Sequence, residues 1–269
     1  MRQCICITFG IALCAMAARA PVQAASGVLI VEKTTGAAAA PITNQIQLES
    51  NRMRAEMAGA SGEKQIAVFD GARQVMMIID QQRKSYTEIT REDADRLGAQ
   101  MSDAMAQMQK QLEAMPPERR AQVEAMMKGR MGGASSLVPK VKYRKAGKGQ
   151  AGKWACDLYE GYEGERKTSE ICTVDPKVLG LTPADFGVAQ QMADFFKRLM
   201  PQMAGQVFTF GSAEQQGFAG VPVRRTFTLA GREMTSEIVD VSRQSFPDAS
   251  YAVPEGYQKR SFGPAGRGR

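Results

Sequence analysis

No histidine occurs among the 269 residues, and tryptophan occurs once. Without imidazole there is no Ser-His-Asp triad and no histidine-ligated metal. Cysteine is also sparse: there are five, and only Cys156 and Cys172 lie beyond residue 14. Two thiols with no imidazole are too few for a zinc site. Neither a P-loop nor a G-x-G-x-x-G turn follows any candidate strand. Past the leader, no apolar run reaches the roughly 20 residues of a membrane-crossing helix. Ser61 to Lys64 matches the S-x-x-K of serine acylation sites, but the companion motifs are missing, so it reads as a polar turn. Carboxylates are plentiful, and spacing singles out no pair for acid–base work. The expectation is a non-enzymatic protein without catalytic residues or cofactor.

Residues 1–24 carry a short basic start at Arg2 and an apolar run from Cys4 to Ala18. Val22-Gln23-Ala24 then offers small residues at peptidase-read positions, which predicts cleavage after Ala24. A cut after Ala20 would place Pro21 next, a poor substrate. Cys14 follows Leu13, which does not suit a lipid-modified cysteine. The pattern predicts an exported, periplasmic protein with a single domain over 25–260 and a disordered basic tail over 261–269. Lysine and arginine outnumber the acids 35 to 28. In an exported chain that excess suits peripheral contact with anionic lipid head groups, not nucleic acid.

Export also bears on Cys156 and Cys172, because an even thiol pair in an oxidising compartment reads as a disulfide. "WACDLYEGY" and "RKTSEICTV" are strand-like, with Gly161 and Gly164 between them. A hairpin folded on Gly164 sets Leu158 against Glu170, Glu160 against Thr168 and Cys156 against Cys172. Opposed residues of antiparallel strands lie about 4.5–5.5 Å apart, within disulfide reach. The pair lacks the C-x-x-C spacing of a redox centre, so a structural staple is expected.

Residues 27–89 read as a meander of strands, with the apolar parity switching at Ser50-Asn51 and a hairpin turn at Asp70-Gly71. Thr90 and Asp93 form a capping box. Ala94, Leu97, Met101, Met105, Met108, Leu112 and Met115 then recur within an arc of about 80° on a helix. Pro116-Pro117 starts a second helix carrying Val123, Met126 and Met127, which ends at Gly132-Gly133. Strands resume through the cysteine hairpin. Thr182, Pro183 and Asp185 open another helix whose apolar arc covers about 160°, including Phe186, Phe195, Phe196 and Met200. Strands at "QVFTFG", "VPVRRTFTLA" and "REMTSEIVDVS" lead to "SYAVPEGYQ". No second core and no internal repeat is evident.

Methionine is the unusual abundance. Met101, Met105 and Met108 lie one turn apart on one helix face. Thioether clusters bind Cu(I), which makes these three an alternative metal site. An adaptable apolar stripe is the plainer reading, because Leu97 and Leu112 continue the spacing and ligate nothing.

The stretches "NRMRAEM", "VFDGARQVMMIIDQQRKSYTEIT", "GKWACDLYEGYEGERKTSEICTVDPKVLGLTPADF" and "FPDASYAVPEGYQ", with the Met-rich segment before "PPERR", resemble the exported bacterial family called domain of unknown function 4412. More distantly, the strand–turn–strand order and the closing "YAVPEGY" are similar to the Lol-type lipoprotein-carrier superfamily. The resemblance implies an α+β fold: an open antiparallel half-barrel whose concave face is covered by a Met-rich helical hairpin and a second amphipathic helix and receives acyl chains. No catalytic residues carry over. The expected partner is a lipid or other hydrophobic small molecule, lined by Met101, Met105, Met108, Phe186, Phe195 and Phe196. The alternatives are the copper site and a periplasmic sensor or scaffold that meets envelope proteins.

Overall fold

The computed structural model describes residues 27–36, 40–58, 64–116, 118–120, 122–123, 141–199, 217–229 and 232–262. The expected leader, Met126, Met127, Gly132, Gly133, Met200, the strand expected at 206–211, most of the Ser61–Lys64 turn and the end of the basic tail lie outside them.

Among the described residues twelve strands form one open sheet. They are β1 (Gly27–Thr35), β2 (Ile42–Leu48), β3 (Arg52–Ala58), β4 (Lys64–Asp70), β5 (Val75–Asp80) and β6 (Ser85–Ile89), then β7 (Lys142–Ala151), β8 (Trp154–Glu163), β9 (Arg166–Val174), β10 (Val221–Leu229), β11 (Arg232–Gln244) and β12 (Gln258–Arg260). The order is β12-β6-β5-β4-β3-β2-β1-β11-β10-β9-β8-β7. Neighbours pair antiparallel except β12, which joins β6 parallel. Two α-helices with described bounds accompany the sheet, α1 (Arg91–Glu113) and α2 (Gly187–Leu199), and residues 118–120 and 122–123 are helical as well, as expected after Pro116-Pro117.

The parity switch between β2 and β3 has a direct consequence. It puts Leu48 and Met53 side by side on one face. Register then carries a row across six strands: Val28, Leu48, Met53, Phe69, Met76 and Ile89. All six are buried in one core together with Val188, Met192 and Phe195 of α2. We call this face inner. Alternation should turn the other residues of β4 and β5 to water, yet Ile66, Val68, Val75, Met77 and Ile79 are apolar as well. They form a second cluster on the outer face under Tyr251, with Phe246, Val253 and Tyr257 packed around it. Both faces of β4 and β5 are therefore covered, which explains their near-continuous apolar sequences. The expectation of a single core needs correcting here: one sheet carries two apolar layers.

The Asp70-Gly71 turn is longer than expected. Gly71 to Gln74 make a four-residue loop in which Asp70 Oδ1 accepts from the Arg73 amide (3.0 Å), and Gln74 is left-handed at φ 52°. Asp80, Arg83 and Lys84 repeat the device (2.9 Å; φ 46°). A Cβ on Gly71 would meet the Gln191 amide of α2, a flexible side-chain end that can swing aside, and the Asn51 carbonyl at 3.2 Å.

Gly164 adopts φ 60° and turns the cysteine hairpin, but the register differs from expectation. Glu163 faces Arg166, and a bulge at Gly161/Tyr162 shifts the pairing again, so Leu158 faces Cys172 and Glu160 faces Glu170. Cys156 reaches Cys172 diagonally, with their Cα atoms 5.5 Å apart, and the two form a disulfide.

Candidate functional site

α1 starts where the sequence signals it, whereas α2 starts four residues beyond the expected first position at Pro183. Thr90 Oγ1 accepts from the Asp93 amide (3.2 Å), and the Asp93 carboxylate accepts from the Thr90 amide (3.2 Å). Thr182 and Asp185 build the same box, but it opens a 3-10 turn (Pro183–Phe186), and α2 starts one residue later at Gly187. Asp185 does a second job. Arg243 of β11 grips its carboxylate with two hydrogen bonds, 2.7 and 2.6 Å, and donates a third to the Gly180 carbonyl at 2.8 Å. This clamp fixes the entry of α2 to the middle of the sheet.

Asp185 is buried. Burial opposes its charge most strongly, but the Arg243 guanidinium and the Thr182 amide and hydroxyl outweigh it and hold the carboxyl below its ordinary value. A depressed carboxyl stabilises the fold above its unfolded pKa and loses that contribution as pH falls through its folded pKa. Asp185→Asn should therefore lower the urea midpoint at neutral pH, and its deficit should shrink under acid. A deficit of constant size at every pH would mean that the Arg243 contact contributes no charge-dependent stability.

α2 buries Val188, Ala189, Met192, Ala193, Phe195 and Leu199. Phe195 is 0% exposed, and its ring stands 5.5 Å from that of Phe69 and 6.2 Å from that of Phe196. Phe186 and Phe196 are half-buried against the same core. Of the three phenylalanines expected to line a ligand site, Phe195 is thus a core residue in contact with the sheet, while the other two border that core.

α1 behaves differently along its length. Ala94 and Gly98 are buried, and Leu97 packs on the core. Its contacts run mainly to α2, with Asp95 and Arg198 3.3 Å apart across the pair. The helix stripe then leaves the core. Met101 and Met105 are 40% and 42% exposed, and Met108 is half-buried. The far end is capped by Arg120, whose guanidinium donates to the carbonyls of Leu112 (2.9 Å) and Glu113 (2.8 Å). The concave face is therefore covered chiefly by α2, and α1 leans on α2 with its methionines outward.

Beside the fully buried row, the inner face carries a second one: Val241, Ile30, Ile46, Ala55, Ala67 and Ile78. Val241, Ile46 and Ile78 are only half-buried. The two alanines in its middle make the row shallow between its isoleucines. Among the described residues no group of three or more His, Cys, Asp or Glu could hold a metal. No described helix is long and apolar enough to cross a membrane.

No family model matches the chain, domain of unknown function 4412 included, and no curated protein matches it. Solved structures do. An uncharacterised conserved protein from Thermus thermophilus is 9% identical, covering 88% of this chain and 91% of that one, with a TM-score of 0.44. A LolA superfamily protein from Nitrosomonas europaea is 8% identical, covering 84% and 89%, with a TM-score of 0.27.

Proposed function

We propose that the chain is an exported, non-enzymatic binding protein for an acyl chain or a similar apolar group. The observation that carries this reading is the second inner row, apolar, half-buried at every position but Ile30, and floored by Ala55 and Ala67. An extended hydrocarbon lying along that row would bury it. The methionine stripe of α1 suits a cover, since flexible thioethers adapt to varied apolar shapes. Export to the periplasm, a role as an envelope lipid or lipoprotein carrier, and the part of Met101, Met105, Met108, Phe186 and Phe196 in lining belong to this proposal. The Lol-type resemblance of the sequence implies the same.

The test is native mass spectrometry and organic extraction of the purified chain, followed by titration with a fluorescent fatty acid. Met105→Glu sets a carboxylate where an apolar chain would pack. Burying a methionine side chain is worth about 1.5–3 kcal/mol, so uptake should fall at least about tenfold. Unchanged uptake by a folded Met105→Glu chain removes Met105 from the site, and no uptake by the native chain sinks the reading.

Two exposed thioethers one helical turn apart, Met101 and Met105, favour a second reading as a Cu(I) site with Met108. Titration with Ag(I) separates the two, because replacing all three methionines with leucine abolishes metal binding yet spares a hydrocarbon site.

A further inference from the structure

The second inner row is apolar from Ile78 to Val241, and a polar step adjoins it on the same face. Alternation along β1 carries the side of Val28 and Ile30 on to Glu32, about 7 Å beyond Ile30 at the usual strand rise. Ile238 of β11 lies opposite Glu32 and packs on the inner core, which fixes the side. Ser236, two residues away on β11, donates from its hydroxyl to the Glu32 carboxylate. Arg225 of β10 stands opposite Ser236. Three neighbouring strands thus set Glu32, Ser236 and Arg225 beside the apolar row.

Glu32 and Arg225 carry opposite charges and share this face, yet they do not pair. Among the described residues neither forms an ion pair, and the Arg225 guanidinium has no hydrogen bond. Arg224 next to it, by contrast, reaches Glu170 at 3.7 Å and the Gln150 carbonyl at 2.8 Å. Glu32 is half-buried and Arg225 exposed. Burial nevertheless pushes the Arg225 guanidinium below its ordinary value, with Tyr143 and Glu32 opposing the push. Exposure and lost hydration coincide for a group that stands in a hollow, where solvent reaches it but protein surrounds it. Arginine stays charged at any physiological pH, so this one is a partly dehydrated cation without a counter-ion. At Glu32 the Ser236 hydroxyl fills one acceptor position and leaves others open. Charges held in this way are costly, and an occupant with the complementary charges offsets the cost.

We infer that this step seats the head group of the acyl ligand and that the head is zwitterionic: a phosphodiester bearing an amine, as in an ethanolamine phospholipid. The phosphate oxygens accept from the Arg225 guanidinium, whose fork matches them in pairs. The ammonium donates to the open positions of Glu32. An anion alone would gain Arg225 but meet the charge of Glu32, and a cation alone would do the reverse. An uncharged ester would leave both unanswered. Because Glu32 follows Ile30 on one strand, a hydrocarbon leaving this head runs directly onto the half-buried row. The inference rests on the acyl reading and adds the ligand's class to it.

Isothermal titration calorimetry of the full chain tests both levels with three ligands that share one dodecanoyl chain, each below its micelle concentration. They are lysophosphatidylethanolamine, lysophosphatidylglycerol and monododecanoyl glycerol. The ethanolamine lipid should bind about tenfold tighter than the glycerol phospholipid, the worth of one charge-assisted hydrogen bond. Glu32→Gln should remove that preference by weakening the ethanolamine lipid alone. Arg225→Gln should weaken both phospholipids and spare monododecanoyl glycerol. An unfolding midpoint shows that each variant folds, and the comparison in the native chain needs no variant. Equal affinity of the native chain for all three overturns the head site and leaves the acyl reading standing. Unchanged ethanolamine-lipid binding in a folded Arg225→Gln or Glu32→Gln chain does the same. Tightest binding of the glycerol phospholipid overturns the zwitterionic class. Binding of none of the three sinks the acyl reading, and the head site with it.

Discussion

Phe195→Ala should destabilise the fold by about 3–5 kcal/mol, the usual range for emptying a buried phenylalanine site. The side chain is fully buried between α2 and the sheet, with its ring against Phe69. Phe69 lies in the row that spans six strands, so the lost ring removes one of the contacts by which α2 holds the inner face, beside those of Val188 and Met192. Domains of this size are stable by roughly 5–15 kcal/mol, which makes the loss a large fraction of the total. Urea unfolding reads the effect as a lower midpoint with little change in slope. Phe69→Ala should behave alike, and the double variant should cost less than the two together, because each ring loses the same partner. A drop below about 1 kcal/mol would mean that the site collapses or that α2 is not seated on Phe69. The same result bears on ligand tests: a Phe195 variant that binds less has lost its core first, whereas Met105, exposed on α1, can be changed without that confusion.

What the chain's pattern makes legible, and what it hides, follows from how local each signal is. The capping boxes at Thr90 and Thr182 rest on residues three apart, and both form. The pairing of Cys156 with Cys172 needs only two strands and a turn, and it forms too. Its register is hidden, because a bulge at Gly161/Tyr162 adds one residue that alternation does not announce. The order of the meander is visible, but its closure on β11 is not, because β1 meets β11 some two hundred residues later in the chain. The outer layer had a signal that could have been used. Ile66, Val68, Met77 and Ile79 are apolar at positions where a one-sided sheet would be polar, and only a second covering segment explains them. The charged step beside the second row had none. Glu32 and Arg225 look like ordinary solvent-facing strand residues until β1, β11 and β10 lie side by side. The methionine stripe of α1 misleads in the opposite sense. It is continuous in sequence, yet only its first two turns reach the core, because α1 lies on α2 and extends past it.

Replacing Cys156 and Cys172 together with alanine should lower stability by about 3 kcal/mol, with reduction of the native chain giving a similar loss. The link closes a loop of sequence separation 16, and the chief effect is on the unfolded chain, whose freedom it limits. Both sulfurs are also buried in the inner core with Trp154, so the fold loses packing as well as the link. Trp154 is the chain's only tryptophan and therefore a specific reporter. Reduction should change its emission before the sheet unfolds, because the link lies in its own cluster. The rest of the sheet should survive: β8 and β9 keep their ladder, and the row from Val28 to Ile89 does not depend on them. A reduced chain that melts like the oxidised one would show that the unfolded state gains nothing from the open loop, and the link would then have to matter through local rigidity of this hairpin. Hydrogen exchange separates the cases, since loss of a local constraint speeds exchange in Trp154–Val174 alone, whereas loss of global stability speeds it in the slowest amides of β1, β4 and β5.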